Sequence, residues 1–165
     1  MGAERVMTRP PLPAPPYAAA CLCGAARYRL DARPKAINAC HCLDCKKLSG
    51  ATHIHMIIAE RGAFSHNDAP LTRFRKRADS GREIDIVRCA ACGTRLWHEP
   101  QSNPELVFIA AGTLDNTSWI VPTSHIWTRQ ASPGVSLHAD ALHCDAQPET
   151  RQLLFDHFTR LYGSV

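Results

Sequence analysis

Apolar and polar positions alternate in short runs from Ala19 onward, and the runs have the length of strands. The segments AARYRL (25–30), THIHMIIA (52–59), LTRFRKR (71–77) and REIDIVRC (82–89) alternate with a period of two, and TRLWHE (94–99), ELVFIAAGTL (105–114) and TSHIWT (123–128) complete the set of strands. In THIHMIIA that period puts Ile54, Met56 and Ile58 on one face. Turn residues fall between the runs, as HNDAP (66–70), DSGR (79–82) and PQSNP (100–104). The pattern predicts a mainly β domain built as two small sheets packed together.

Two segments switch to a helical period. DCKKLSG (44–50) fits one or two turns, with Gly50 as the stop. PETRQLLFDHFTRLYG (148–163) is longer, with Pro148 to open it and Gly163 to close it. Leu153, Leu154, Phe158, Leu161 and Tyr162 form a stripe that reads as packing surface. Residues 1–18 form a Pro-rich flexible arm, because Pro10, Pro11, Pro13, Pro15 and Pro16 deny it helix and ladder hydrogen bonds. Residues 19–130 are then the main domain, and 131–165 a C-terminal extension whose helix packs on it.

Composition narrows the function classes. At 165 residues, 45% hydrophobic and 21% charged, the chain has enough length for one ordinary core. A net charge of +4 with scattered Lys and Arg argues against a nucleic-acid binder. There is neither an apolar run near the ~20 residues of a membrane span nor the apolar segment of a secretory signal. The expectation is a cytoplasmic protein, with neither membrane nor nucleic acid among its partners.

The eight cysteines change the picture most. In a reducing compartment, clustered cysteines read as metal ligands and not as disulfides. RCAACGT (88–94) places Cys89 and Cys92 in a CxxCG knuckle, with Gly93 relieving the backbone there. CLCG (21–24), if extended, projects Cys21 and Cys23 to the same side, so the two pairs can complete a four-thiolate structural site. ACHCLDCKKLSGA (39–51) brings Cys40 and Cys42 together at a strand end, with Cys45 on the first turn of the short helix. Three thiolates leave one coordination position free, which marks a catalytic zinc site. Alternation turns His41 away from its neighbours. Cys144, or one of His53, His55, His98, His138 and His143, could instead close the site. Iron is the other metal such thiolates accept, and the lack of redox companions favours zinc.

CLCGAARY, CHCLDCKKLSGA, FRKRADSGREIDIVRCAACGTRLWHE, AAGTLD and SHIW together resemble the glutathione-dependent formaldehyde-activating enzyme family, which includes proteins similar to centromere protein V. The resemblance covers roughly residues 20 to 128. It implies an Mss4-like zinc-binding β-tent, a structural zinc on Cys21, Cys23, Cys89 and Cys92, and a catalytic zinc on Cys40, Cys42 and Cys45. It also implies a carbon–sulfur lyase that joins glutathione to formaldehyde as S-hydroxymethylglutathione. Lys46, Lys47 and Arg95 could receive the glutathione carboxylates or be plain surface charges, and Trp97 and Trp127 could wall a pocket or fill the core. The alternative is a non-catalytic zinc module for a protein or thiol ligand. A methionine sulfoxide reductase reading would need a free nucleophilic cysteine, and Cys144 alone is unassigned.

Overall fold

The computed structural model describes residues 9–78 and 81–164. Part of the Pro-rich arm (1–8) and the first two positions of the predicted DSGR turn lie outside them. The elements run in the order β1 (Tyr17–Ala20), β2 (Arg27–Leu30), β3 (Ala36–Cys40), α1 (Leu43–Ser49), β4 (Ile54–Glu60), β5 (Phe64–His66), β6 (Leu71–Arg77), β7 (Glu83–Cys89), β8 (Arg95–Pro100), β9 (Leu106–Ala110), β10 (Ser124–Ile126), β11 (Leu142–Cys144) and α2 (Gln152–Tyr162). The mainly β architecture with two helices is the one the sequence pattern predicts.

One sheet has three strands in the order β1-β2-β5, and the other has eight in the order β11-β10-β3-β4-β9-β8-β7-β6. Pairing is antiparallel throughout, except that β10 runs parallel to both of its neighbours, β3 and β11. The two sheets lean on each other around Trp97. That ring is fully buried and meets Tyr28 edge-on at 5.3 Å and Phe64 at 5.0 Å. Ile37, Ile57, Val87, Leu96, Val107 and Ile109 complete this core from the large sheet. Edge strand β6 presents Arg73, Arg75 and Arg77, and such charge discourages edge-to-edge pairing.

The opposite face of the large sheet carries a second cluster of Ala36, Cys40, Ile54, Met56, Ile58, Leu106 and Ile126, covered by Leu154 of α2. Phe158 reaches round into the first core, whereas Leu153 lies outside the stripe and is exposed. Helix α2 begins four residues after Pro148, and Gly163 caps it through a bond to the Thr159 carbonyl. The described part of the Pro-rich stretch touches this region. Arg9 donates to Asp140 and to the carbonyls of Val121 and Pro122, and the Tyr17 hydroxyl donates to the Pro13 carbonyl at 2.7 Å.

Strand β10 is only three residues long, and Thr123 anchors it. The buried hydroxyl accepts from the Ile37 amide and donates to the Ile37 carbonyl, both at 3.1 Å. Replacing Thr123 with Val keeps the shape and strands the Ile37 amide. We expect Thr123→Val to destabilise the fold by ~1–3 kcal/mol, read from urea unfolding midpoints.

Candidate metal centres

The first thiol cluster joins two turns that lie far apart in sequence. After β1 the chain folds sharply, the Gly24 amide bonding the Cys21 carbonyl at 3.0 Å and the Cys21 amide bonding the Ala26 carbonyl at 2.9 Å. CLCG is therefore a turn and not the extended segment expected, yet Cys21 and Cys23 converge all the same, their sulfurs 3.4 Å apart. Between β7 and β8 the Gly93 amide bonds the Cys89 carbonyl, closing the CxxCG knuckle. A Cβ on Gly93 would meet nothing within 4 Å, so the glycine is needed for its φ of 73° and not to relieve crowding. Cys23 and Cys89 stand 3.9 Å apart, and the ligand atoms of Cys21, Cys23, Cys89 and Cys92 all lie within 4.8 Å of one another. Four thiolates about 2.3 Å from one zinc ion stand about 3.8 Å apart, so this donor set fits a tetrahedral metal.

The electrostatics show charge already gathering there. The Thr94 hydroxyl and amide hold the Cys92 thiol down at about 5, while the sulfurs of Cys21 and Cys92 outweigh the Ala25 amide and push Cys23 up to about 11. Thr94 also accepts from the Leu22 amide at 3.1 Å, so one hydroxyl braces both turns.

The second cluster is made within a single segment. Cys40 ends β3, Cys42 is the N-cap of α1, and Cys45 lies in the helix's first turn. The Cys45 amide donates to the Cys42 sulfur at 3.4 Å, and Cys40 and Cys42 are 3.5 Å apart. Helix α1 buries none of its own residues. It is held by Gln130, whose side chain accepts from the Leu43 amide at 3.0 Å and whose carbonyl accepts from Lys46. Gly50, at φ 65°, stops it as predicted.

The three thiols shift one another's ionisation. Thiols of Cys40 and Cys45 donate to Cys42 and hold it down at about 2, with the Cys45 amide and Lys76 helping. That thiolate in turn pushes Cys40 up to about 12, and Cys40 and Cys42 together drive Cys45 upward. Full ionisation of the set requires a cation at its centre. Its geometry and chemistry therefore suit a metal ion held by three thiolates.

Among the described residues no further His, Cys, Asp or Glu donor joins this group. Cys144 pairs with Ile126, which pairs with Cys40, so it sits two strands away at about 10 Å. The candidate histidines other than His98 are on the other side. His55, His125 and His143 occupy the row through Ala39, and alternation aims them at the face opposite Cys40. His41 joins them there, fully buried, its Nε2 3.0 Å from Nδ1 of His125 and its ring 5.0 Å from that of His53. His53 meets His55 at 3.2 Å, and the amide of His138 donates to His125.

The triplet opens on a cavity of about 460 Å³ over the second face of the sheet. Trp127 lines it, whereas Trp97 is core. Trp127 has a left-handed backbone (φ 61°), rare for a bulky residue, and its amide is held by the Ala146 carbonyl. Lys46 is spent on Gln130, Lys47 is exposed, and Arg95 donates to His98 at 3.3 Å and to the Met56 sulfur at 3.4 Å. None of those three lines the cavity. Lys76 and Arg151 do, along with His98. Sequence spacing gave no signal for Lys76 and Arg151, from β6 and the start of α2, and offered His98 of β8 only as one of several histidines that could close the triplet site.

The family model described as "Glutathione-dependent formaldehyde-activating enzyme" matches residues 16–130. The chain belongs to that family. The family model spans both thiol clusters and ends at Gln130, the residue that holds α1. No curated protein matches the chain. Among solved structures, a crystal structure of a Rhodobacter sphaeroides protein is similar at 18% identity, covering 60% of this chain and 88% of that one, with a TM-score of 0.48. No helix among the described residues is long and apolar enough to cross a membrane.

His98 supplies a pH test of the cavity wall. Burial, with Arg95, Arg88 and Lys76 adding repulsion, presses its imidazole down to about 3 from an ordinary 6.5. The unfolded chain takes up that proton below its ordinary pKa and the folded chain does not, so His98 favours folding fully above about pH 6.5 and less as pH falls toward 3. We expect His98→Gln to flatten the fall in stability between about pH 7 and 5, by up to ~1 kcal/mol per pH unit, measured as urea midpoints across that range.

Proposed function

We propose that this chain is a zinc-dependent carbon–sulfur lyase or synthase acting on a glutathione adduct, such as S-hydroxymethylglutathione formed from glutathione and formaldehyde. Cys21, Cys23, Cys89 and Cys92 hold a structural zinc, and Cys40, Cys42 and Cys45 hold a catalytic zinc with one position free. The observation that carries this reading is the triplet itself: three sulfurs converge, no fourth donor joins them among the described residues, and they face a cavity. Family membership supports the substrate class.

Bound at the triplet, zinc would lower the pKa of an incoming thiol and hold it beside the carbonyl. The protein's own groups do the rest. The Cys45 amide and the ammonium of Lys76 steady the negative charge on Cys42. Ile54 and Ile126 flank Cys40 on the two neighbouring strands and keep water from the sulfurs. Arg95, buried beside Cys45, adds a fixed positive charge from behind. In the reaction the thiol sulfur bonds the carbonyl carbon and the thiol proton ends on the carbonyl oxygen. Such chemistry suits a reducing, cytoplasmic setting.

Metal analysis tests the partition. Purified protein should carry two zinc ions per chain, and Cys40→Ser should lose one while keeping the other and the fold. Cys144→Ser should keep both. Cobalt substituted at the triplet should change its absorption on adding glutathione, and thiol–aldehyde exchange should run at least tenfold faster than the spontaneous rate. A second metal indifferent to both thiol and Cys40→Ser would make the chain a non-catalytic zinc module.

A further inference from the structure

The cavity beside the triplet is larger and more apolar than formaldehyde requires. Strand register lays out its floor. Cys40 lies between Ile54 and Ile126, so aliphatic carbon borders the innermost sulfur on both sides. Met56 follows along β4, and then Ile58, which pairs with Phe108 of β9. From Ile54 to Ile58 the strand advances by about 13 Å. Leu154 of α2 covers this stretch.

Positive charge waits at the far end. The Arg151 guanidinium stacks 5.3 Å over the Phe108 ring and donates to the neutral side chain of Asn103. Among the described residues no carboxylate pairs with it. Burial destabilises its charge and Arg82 repels it, with weaker relief from Glu105. An anion placed there would relieve both penalties.

We propose that the cavity takes a ligand with an extended apolar arm of roughly eight to ten atoms ending in a carboxylate, its reacting carbon at the triplet and its carboxylate at Arg151. The identity of the reacting carbon rests on the carbon–sulfur reading above, while the ligand class rests on the cavity alone. For an aldehyde of this kind, glutathione adds its S–H across the C=O. The S–C bond forms, the π pair moves to oxygen, and the thiol proton follows it. Nothing is oxidised or reduced. Each buried methylene should strengthen binding about fourfold.

Two measurements on the full-length zinc-loaded chain test this. In calorimetry, decanoate should bind at least about a hundredfold more tightly than acetate. Arg151→Gln should weaken decanoate about tenfold and leave decanol unchanged, while Arg151→Lys should retain most of the affinity. Equal binding of decanoate and acetate, or decanoate binding indifferent to Arg151→Gln, would overturn the proposal. In kinetics with glutathione, acceleration over the spontaneous rate should rise from formaldehyde to nonanal to azelaic semialdehyde. Acceleration of formaldehyde alone would sink the long-arm ligand and leave the carbon–sulfur activity standing. Arg151-dependent decanoate binding with no aldehyde accelerated would support the ligand class and remove the carbon–sulfur reading.

Discussion

Thiolates brought to one point repel each other, and that repulsion organises this protein. In both clusters some thiols are pressed down and a neighbour is pressed up: Cys42 against Cys40 and Cys45, and Cys92 and Cys21 against Cys23. Other contacts hold the sulfurs in place. At the four-thiol cluster the means are two tight turns braced by Thr94. At the triplet they are the end of β3, the N-cap of α1 and the grip of Gln130 on that helix. The core around Trp97 supports both, because β7 and β8 carry the knuckle and β3 carries Cys40.

The two clusters differ in what surrounds them, and so in what they can do. Four donors close the first site, and its turn leaves Leu22 facing solvent. Three donors leave the second open on a cavity whose wall mixes aliphatic side chains with charged ones, among them Asp44, Lys76, Glu83 and Arg151. The low-dielectric part of that wall makes every charge near the sulfurs count for more, so Lys76 and Arg95 weigh heavily there. Trp127 holds an unfavourable left-handed backbone at the mouth of this cavity, and such residues persist where the surrounding structure over-determines them.

Much of this was legible in the sequence, and the gaps have physical causes. Alternation marked β2, β4, β6 and β7, and short apolar runs between turn residues marked β8, β9 and β10. Alternation missed β3, since all five of its residues are buried and no period survives. It missed β1 because YAAA has too little side-chain contrast, and β5 and β11 because three residues cannot display a period. The cysteines could be partitioned by spacing because each knuckle is local. Lys76 and Arg151 could not be found that way, and His98 could not be told from the other candidate histidines, because three separate elements bring them to one cavity. Local chemistry is written in the sequence, but the lining of a cavity is written in topology.

Alternation also decides which chemistry meets the cavity. Along β3 and β10, a single step separates Cys40 and Ile126 from the row of Ala39 and His125. Were β3 to slip by one residue, Cys40 would turn toward the histidine row, and were β10 to slip, His125 would turn toward the cavity. What prevents the slip is the core. Ile37 is sealed against Trp97's side of the sheet, and Thr123 locks its backbone to the start of β10. Burying Ile37 therefore does more than stabilise the fold: it keeps the Cys40 sulfur, and not the His125 imidazole, on the cavity side of these two strands.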